Sequence, residues 1–540
     1  MKFFFTFFII LIISSCVSVE KYNAHIDKAI SVDDLRKDVD VAKKQLLTKH
    51  VNIDMYHSKK IITNRLDSFS KSLQNPMKPN DFQRELSKVV SSFGHGHTVV
   101  FALSKRPTKE EKKKYKNSKG LLNLIELKSF DNHLYLNRNY SKDTTLVVNT
   151  EVLAINGVSF NDFYKQYQDY RKGDGYISTG DKYMYAGGYL RFLNNQIGLV
   201  DSVDITFTKN NTVFTQTMKR EFSKKKDKKS IKSVKNDSIP EKKVEKVAKI
   251  KLSKEDKKRK KELEKHKSDI KKYFVYNKSK NDYQRELIFP NKEDSTTVIL
   301  NIKSFSISHG KEAYPFVFDS IQKLNVKNLI LDIRNNGGGY AKDINYLYSF
   351  LTSREGKQTV MADEMKINSR FSLVKNYFNQ FGIVGNTITL PYSLYTYTKT
   401  LLKTHKAEDG YFYRSTNKKD YIEQPNKYKG NLYVLTNGSS YSATSVISSA
   451  LQNEGKAIFV GEETGGDYNG TVAGSMKIYE LKNSKLKLLY GLIDFKPNTS
   501  RELIGRGVMP NIPISMTFDD ILNKKDPQLD WILNDIKSKK

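Results

Sequence analysis

A cluster of serines follows a short apolar run and offers hydroxyl groups that could carry out covalent chemistry. Residues 433–435 are β-type, a turn at Gly438 follows, and a helix is predicted over 443–452, with four serines between positions 439 and 445. A serine at the start of a helix either caps it by accepting a backbone amide or acts as a nucleophile at an end that stabilises negative charge. With so many serines present, capping alone is the simpler interpretation.

A glycine-rich turn follows a second apolar run. Residues 329–333 lead into Arg-Asn-Asn and then into three glycines at 337–339, before a helix predicted over 341–351. Glycines let the backbone approach a ligand and turn its amides outward, which suits an oxyanion hole or a phosphate cradle. No Gly-Lys-Ser or Gly-Lys-Thr follows, and the spacing of a dinucleotide fingerprint is absent. Phosphate binding is therefore disfavoured.

Two histidines, His95 and His97, lie within the segment Ser-Phe-Gly-His-Gly-His-Thr at 92–98. The unperturbed pKa of imidazole lies near neutrality, so a histidine is suited to act as a general base. The competing interpretation is metal ligation by the pair. It has less support, because the sequence offers no cysteine ligand here and no other histidine-rich partner.

The serine and glycine segments resemble those of the tail-specific, or C-terminal-processing, family of serine peptidases. In that family an Arg-Asn-Asn-Gly-Gly-like string precedes a Ser-Ala-Ser-Ala-Ser-like turn, and the strings at 450–453 and 460–464 are also similar to the family's pattern. An ungapped alignment implies that Ser442 is the nucleophile. It also implies that the backbone amides of Gly338 and Ala443 hold the oxyanion. With gaps, the resemblance extends from the N-terminal helical region to Pro510.

The base departs from the tail-specific pattern. The family's lysine is expected 25 residues beyond the serine, where this chain has Asp467. A carboxylate cannot replace a neutral amine there, so a Ser-Lys mechanism is disfavoured. The segment at 92–98 instead resembles the Asp-Gly-His-Thr string of the tricorn-like branch, which implies that His97 is the base. That branch also has a glutamate shortly before its Gly-Val-x-Pro string. Here Ile504 occupies that position, and Glu502 lies two residues earlier, on the same face of a strand.

The order of elements indicates several domains. Apolar residues at three-to-four spacing predict a helical domain over 25–98 that ends in the histidine segment. Short β runs over 115–221 resemble a PDZ-like module, a fold that binds extended peptides at a sheet edge, although another small β module stays open. Within it, 168–196 is interpreted as an insertion. Alternating strands and helices over 280–520 predict an α/β catalytic domain with a parallel-rich sheet. The resemblance implies an S41-type domain with a crotonase/ClpP-like core.

The charge of +33 is concentrated in one stretch. Between 223 and 272 there are 22 lysines and arginines against nine acidic residues. Such a run is typical of a solvated tether, so 222–273 is predicted to be a basic low-complexity linker. Nucleic acid is not an expected partner, because the charge does not come from a folded surface. Contact with anionic envelope polymers or lipid headgroups stays open.

The first 16 residues read as a lipoprotein signal peptide. A lysine at position 2 precedes an apolar run at 3–13, and Ile-Ser-Ser-Cys ends in Cys16, the chain's only cysteine. The run is too short for a permanent membrane span but suits the core of a signal peptide. Its end resembles a lipobox, so Cys16 is predicted to be a lipid attachment point. The expected location is the cell envelope, anchored by lipid in the periplasm-facing outer membrane.

These features together predict a serine endopeptidase that cleaves extended or unfolded envelope proteins through an acyl-enzyme. Its base would be His97, and neither a cofactor nor a metal is expected. The alternative is a catalytically silent envelope lipoprotein that binds peptides on the same fold. A crotonase-type enzyme acting on thioesters is less favoured, because an envelope protein has little access to coenzyme A. The substrate, the cleavage preference and the oligomeric state are left open.

Overall fold

The computed structural model describes residues 18–170, 173–222, 254–278, 281–291, 293–307, 309–373, 390–415, 422–501 and 503–539. The predicted lipid attachment residue Cys16 and the predicted relay residue Glu502 lie outside the described residues. So does the first part of the basic stretch.

The N-terminal part of the chain is a small helical domain. Ser18, Ser31 and Ser58 each begin a helix by accepting a backbone amide three residues ahead, and Pro79 stands at the first position of another. These residues satisfy or remove donors that a helix start leaves unpaired. The apolar faces pack into a core that is continuous with that of the C-terminal α/β domain. The helices are α1 (Val19–Asp27), α2 (Val32–Lys49), α3 (Lys59–Ser72) and α4 (Pro79–Ser91).

A separate hydrophobic core lies in the β module that follows. Its sheet has the order β2-β3-β4-β6-β7, with antiparallel pairing throughout. The stretch 168–196, which the sequence analysis interprets as an insertion, has regular secondary structure in its second half. That half is a helix, and the Ser129 hydroxyl accepts the backbone amides of its first residues, Tyr185 and Ala186, at 3.0 and 3.2 Å. The elements, with the connecting strand and helix, are β1 (Val99–Phe101), α5 (Lys109–Lys114), β2 (Ile125–Phe130), β3 (His133–Asn139), β4 (Glu151–Ile155), β5 (Val158–Ser159), α6 (Phe160–Tyr167), α7 (Tyr185–Ile197), β6 (Ser202–Lys209) and β7 (Thr212–Lys219).

The second half of the predicted low-complexity tether is also helical. Residues Lys254–Tyr273 form helix α8. Its side chains are mostly exposed, but the rings of His266 and Tyr273 lie 5.8 and 5.9 Å from the ring of Phe316. This helix therefore packs against Phe316 through two of its side chains, although its composition alone favours a solvated linker. No helix among the described residues combines the length and apolarity needed to cross a bilayer.

The C-terminal α/β domain is built on a mixed sheet of order β10-β11-β12-β16-β17-β20. All its neighbours run parallel except β10, which is antiparallel to β11. Strand β12 is buried along its whole length, as expected for a central strand covered by helices on both faces. Its elements are β8 (Tyr276–Asn277), β9 (Asp282–Tyr283), β10 (Arg285–Ile288), β11 (Thr297–Ile302), α9 (Gly310–Lys323), β12 (Asn328–Asp332), α10 (Ala341–Leu351), β16 (Asn431–Thr436), α12 (Ala443–Asn453), β17 (Ala457–Gly461), β20 (Ile512–Pro513), α13 (Phe518–Asn523) and α14 (Pro527–Ser538).

A second sheet joins the helical domain to the C-terminal α/β domain. Its order is β1-β19-β13-β15-β14, with β18 also paired to β19. Strand β1 follows the histidine segment directly and pairs with β19, with Val99 opposite Leu489. The buried carboxylate of Asp38 reinforces this junction, because it accepts the backbone amides of Asn483 and Ser484 in the turn between β18 and β19. The remaining elements are β13 (Glu364–Ile367), α11 (Leu390–Leu402), β14 (Thr404–Ala407), β15 (Gly410–Arg414), β18 (Thr471–Glu480) and β19 (Lys487–Phe495).

Candidate active site

The serine turn and the glycine turn lie side by side at the carboxyl ends of two neighbouring parallel strands, β12 and β16. The side chains of Asn335 and Asn437 tie the turns together. The amide nitrogen of Asn437 donates to Asn335 Oδ1, and the backbone amide of Asn335 donates to Asn437 Oδ1. The Tyr441 backbone amide also donates to the carbonyl of Asn336 at 3.0 Å. Ligands of open α/β sheets bind at this edge, so the two turns define a candidate site.

Ser442 has the backbone conformation of a strained, functional position. Its φ is 59° and its ψ is −122°, and it immediately precedes helix α12. A non-glycine residue held in such a sparsely populated region costs about 1–3 kcal/mol and occurs preferentially at active sites. Its hydroxyl does not cap the helix, so the simpler interpretation of this serine is not met. The hydroxyls of Ser440 and Ser445, by contrast, donate to backbone carbonyls.

Gly338 lies against the predicted nucleophile. A Cβ atom added to it would stand 2.9 Å from Ser442 Cβ and 2.8 Å from the Ala443 nitrogen. The Ala443 amide is the first of helix α12 and has no hydrogen-bond acceptor among the described residues. The Gly338 amide, however, donates to Asn336 Oδ1 at 2.9 Å within its own turn. The sequence prediction treated both amides as free donors, and in this structure the Gly338 amide is already occupied.

A cavity of about 510 Å³ opens beside Ser442 and Ala443. Its floor combines apolar side chains of the second sheet with the backbone of the glycine turn at Gly339. A cavity of this size accommodates a side chain or a short stretch of an extended peptide. The apolar part of the lining comes from Met361, Met365, Ile493 and Phe495.

His97 approaches the serine turn from the helical domain, and strand β1 holds it in place. Its Nδ1 lies 2.9 Å from the Tyr441 hydroxyl and 3.1 Å from Thr471 Oγ1. The His97 and Tyr441 rings stack, with centroids 4.8 Å apart. No hydrogen bond joins His97 to Ser442 in the described part of the chain. The fold therefore brings the base candidate next to the residue that precedes the nucleophile candidate, but not onto the nucleophile itself.

Asp174 is a buried carboxylate in this cluster that the sequence interpretation missed. Its Oδ1 accepts the Tyr441 hydroxyl at 2.8 Å and the Gly96 amide at 2.9 Å. The residue lies in the stretch that was interpreted as an insertion, and nothing in its spacing connects it with His97. A Gly-Asp-Gly string at 173–175 was the sole local signal, and it indicates only a turn.

Close backbone contacts between glycines hold Asp174 in position. A Cβ atom on Gly94 would lie 2.9 Å from the carbonyl oxygen of Gly175, and a Cβ on Gly175 would lie 2.2 Å from Gly505 Cα. Gly175 also has a φ of 59°. The Gly175 amide donates to the Gly94 carbonyl at 2.7 Å. Because no side chain separates these segments, the backbone of the loop that carries Asp174 lies in direct contact with the histidine segment.

Burial dominates the electrostatics of the cluster. It lowers the pKa of His97 to about 4 and raises the pKa of Asp174 to about 6, although the Gly96 amide and the Tyr441 hydroxyl donate to that carboxyl group. Burial likewise raises the pKa of Asp467 to about 6, and the charge of Asp174 adds to that increase. These perturbed titratable groups surround Tyr441, the residue before the strained Ser442, and such groups occur preferentially at active sites.

Asp467, which occupies the lysine position of the tail-specific pattern, has a structural role in the described residues. Its two carboxylate oxygens accept the backbone amides of Asn469 and Gly505 at 2.8 and 2.6 Å. It has no hydrogen bond to Ser442. Ile504, at the glutamate position of the tricorn-like pattern, is half exposed. The prediction for Glu502 falls outside the described residues.

His95 does not pair with His97 as a joint ligand in the described structure. Its Nε2 bonds to the carbonyl of Ile53 at 3.0 Å, and its ring packs against the rings of His50 and Tyr56. Burial lowers the pKa of His95 to about 4. Within the described ranges, no group of three or more metal-ligating side chains is placed to hold a metal ion.

Comparison with protein families identifies the class to which this site belongs. Residues 296–514 match the sequence model of peptidase family S41, and that range contains both turns and the cavity. This part of the chain therefore belongs to peptidase family S41, whose members hydrolyse peptide bonds. The resemblance predicted from the sequence is confirmed at the level of the family. A search of the curated proteins found no match.

Solved structures share the fold over nearly the whole chain. The mature form of CPAF complexed with lactacystin is 15% identical, with 94% of this chain and 98% of that chain covered and a TM-score of 0.53. A second structure of mature CPAF is 14% identical, with 91% and 94% covered and a TM-score of 0.52. At such low identity the match shows a shared fold. It supports the predicted α/β peptidase fold.

Proposed function

We propose that this protein is a serine endopeptidase of the cell envelope that cleaves extended or unfolded polypeptides by acyl-enzyme chemistry. The observation that carries the proposal is the state of Ser442. It stands in a positive-φ conformation at a helix start, its hydroxyl is not used as a cap, and it opens into a cavity beside an unbonded amide. A residue serving only the fold has no reason to carry this strain.

In the proposed reaction, the Ser442 oxygen attacks a peptide carbonyl carbon while its proton passes to Nε2 of His97. That nitrogen has no hydrogen-bond partner among the described residues. The serine or the imidazole must move to close the gap between them, which is consistent with catalytic hydrogen bonds that shorten only when substrate binds. The protonated His97 then gives its proton to the leaving amine, and water releases the acyl group.

The oxyanion formed by this attack needs preorganised donors. The Ala443 amide is available and lies at the positive end of helix α12, where negative charge is stabilised. The second predicted donor, Gly338, can contribute only if its amide exchanges Asn336 Oδ1 for the oxyanion. Gly339 is the other candidate, because it lines the same cavity and its amide has no acceptor in the described residues.

We expect the Gly338→Ala variant to lose about 100- to 1,000-fold in kcat/KM, the usual effect of losing one oxyanion donor, because the added methyl group would displace the glycine turn from Ser442 and Ala443. The new methyl group would lie 2.7 Å from the Tyr441 carbonyl oxygen, and the φ of +98° is unfavourable for alanine. Gly337→Ala is the matched control, because a Cβ there meets nothing within 4 Å. Rates with a denatured fluorescent protein test this, and equal rates for the two variants would contradict the role of the turn.

The alternative function is peptide binding without catalysis. The missing hydrogen bond between Ser442 and His97 favours this alternative. Incubating the purified protein with a denatured protein, then measuring new amino termini alongside binding, separates the two. New termini that accumulate in proportion to time and enzyme concentration support the peptidase. Saturable binding without new termini, over several substrates, supports the alternative.

The proposal assigns supporting roles to the other parts of the chain. The antiparallel module at 115–221 would act as a PDZ-like element that holds an extended chain by adding it to a sheet edge. A diacyl anchor on Cys16 would keep the enzyme on the periplasm-facing outer membrane. Membrane fractionation after growth with a labelled fatty acid tests the anchor. We expect label and membrane association in the unaltered protein and neither in Cys16→Ser, and retained label in the variant would contradict the assignment.

A further inference from the structure

We propose that Asp174 is the positioning acid of this site and acts on His97 through the hydroxyl of Tyr441. The inference rests on the proposed function, because the orientation of His97 matters for chemistry only if His97 is the base. It assigns the third role of the relay to a residue outside the predicted Glu502 position. It also gives Tyr441, the residue before the nucleophile, a role as the link.

The geometry forms one unbroken chain of hydrogen bonds. Nδ1 of His97 lies 2.9 Å from the Tyr441 hydroxyl, and that hydroxyl lies 2.8 Å from Asp174 Oδ1. The Gly96 amide, one residue before His97, donates to the same Oδ1 at 2.9 Å and fixes the carboxylate against the histidine segment. Tyr441 and Asp174 are almost entirely buried, so water does not compete strongly for these bonds.

The direction of the protons follows from the single proton on the tyrosine hydroxyl. Burial raises the pKa of Tyr441, so the phenol keeps its proton. If Asp174 is ionised, the phenol donates to it, and the phenol oxygen then accepts a proton from Nδ1 of His97. Nε2 is left with a free lone pair. If Asp174 is protonated, the chain can reverse, so that the phenol donates to Nδ1 and the ring proton sits on Nε2.

The chain of hydrogen bonds supports catalysis when Asp174 is ionised. When Ser442 attacks, its proton moves to the lone pair on Nε2, and His97 becomes an imidazolium whose Nδ1–H still points at Tyr441. The carboxylate of Asp174 stabilises that positive charge across one intervening hydroxyl. Thr471 Oγ1, 3.1 Å from Nδ1, can follow either proton direction because a hydroxyl both donates and accepts.

The chain of hydrogen bonds from Asp174 through Tyr441 to His97 makes activity depend on the ionisation of Asp174. Asp467, Tyr56, Tyr441 and His97 lie near this carboxylate, and the charge of Asp174 raises the pKa of Asp467. Since burial raises the pKa of Asp174 to about 6, kcat/KM should rise as pH increases through about 6. The coupled pair loses its protons in two steps around that value. Without the carboxyl group of Asp174, kcat/KM should fall at low pH only as His97 becomes protonated, near pH 4.

The test compares Asp174→Asn and Tyr441→Phe with the unaltered protein. We expect each variant to lower kcat at pH 7 by about 10- to 100-fold with KM nearly unchanged, as for weakened general base catalysis. The acid limb of kcat/KM should move from about pH 6 toward about pH 4 in Asp174→Asn. The double variant should be no slower than the slower of the two single variants, because both changes break the same chain of hydrogen bonds.

Two buried residues that are not part of this chain of hydrogen bonds serve as matched controls. Asp494→Asn removes a buried carboxylate that bonds to Asn52, and Tyr490→Phe removes a buried phenol that bonds to Gln45. Both should keep the unaltered pH profile. Unchanged kcat and pH limb in Asp174→Asn and Tyr441→Phe would overturn the inference, as would identical shifts in the controls. If Asp174→Asn does not fold, Tyr441→Phe carries the test.

A measurement that needs no turnover separates this inference from the proposed function. The ¹⁵N chemical shifts of the His97 ring, assigned by comparison with His97→Gln, show which nitrogen bears the proton. We expect an Nδ1–H tautomer above pH 6 in the unaltered protein and a mixed population in Tyr441→Phe. An Nε2–H tautomer above pH 6 would overturn the inference even in an active enzyme. An Nδ1–H tautomer in a protein that never cleaves peptides would support the orientation of His97 by Asp174 and Tyr441 but contradict the proposed function.

Discussion

Replacing Ser442 with alanine is expected to lower kcat by about 10⁴- to 10⁶-fold while leaving the binding of unfolded polypeptide unchanged. The size follows from the loss of the nucleophile, after which only binding and the oxyanion donors remain. Stability should rise slightly or stay the same, because the hydroxyl makes no hydrogen bond as a helix cap. The measurements are the rate of cleavage of a denatured fluorescent protein and the affinity for the same protein.

Ser439→Ala is the matched control for this variant. Ser439 lies three residues earlier in the same turn and lines a different cavity, one shared with Asp332 and Asn437. It should retain nearly all the activity of the unaltered protein. If Ser442→Ala and Ser439→Ala cleaved at the same rate as the unaltered protein, Ser442 would not be the nucleophile. Equal losses in both variants would point to a disturbed turn rather than to lost chemistry.

The His97→Ala variant is expected to lose about 100- to 10,000-fold in kcat, the range of general acid–base catalysis by a positioned side chain. The loss should be smaller than that for Ser442→Ala, because hydroxide or buffer can still take the serine proton slowly. Added imidazole should restore part of the activity by occupying the space of the missing ring. Rates measured with and without added imidazole test the base role directly.

His57→Ala controls for damage to the helical domain. His57 lies in the same domain, is partly buried and packs against Tyr176, but it makes no bond to Tyr441 or Thr471. It should retain activity and show no response to imidazole. Activity in His97→Ala equal to that of the unaltered protein would assign the base to another residue. A loss that imidazole does not relieve, together with a similar loss in His57→Ala, would reduce His97 to a structural role.

The sequence predicted the catalytic domain well because its signals are local. The apolar run at 329–333 and the helix predicted over 341–351 correspond to β12 and α10. The serine turn before α12 was also placed correctly, since strand, glycine turn and helix follow one another within a few residues. Where tertiary packing decides the local structure, the sequence interpretation predicted no stable helix. Helix α7 lies in a stretch interpreted as an insertion, and α8 lies in a stretch interpreted as a solvated tether.

The candidate site shows the same division. Ser442 and the three glycines were found because the family's strings are contiguous in sequence. Asp174 was missed because no local pattern marks it, and the glycine contacts with Gly94 and Gly505 that carry it to His97 appear only in the folded chain. The occupied amide of Gly338 was missed for a similar reason, since the bond to Asn336 depends on the side-chain orientation within the turn.

The most direct test of the central claim is labelling by a serine-reactive phosphonate, with the modified residue mapped by mass spectrometry. The unaltered protein should take up one label per chain at Ser442, and His97→Ala should react at least about 100-fold more slowly, because the base activates the attacking oxygen. Labelling at another serine, or at Ser442 with the same rate in both proteins, would contradict the account.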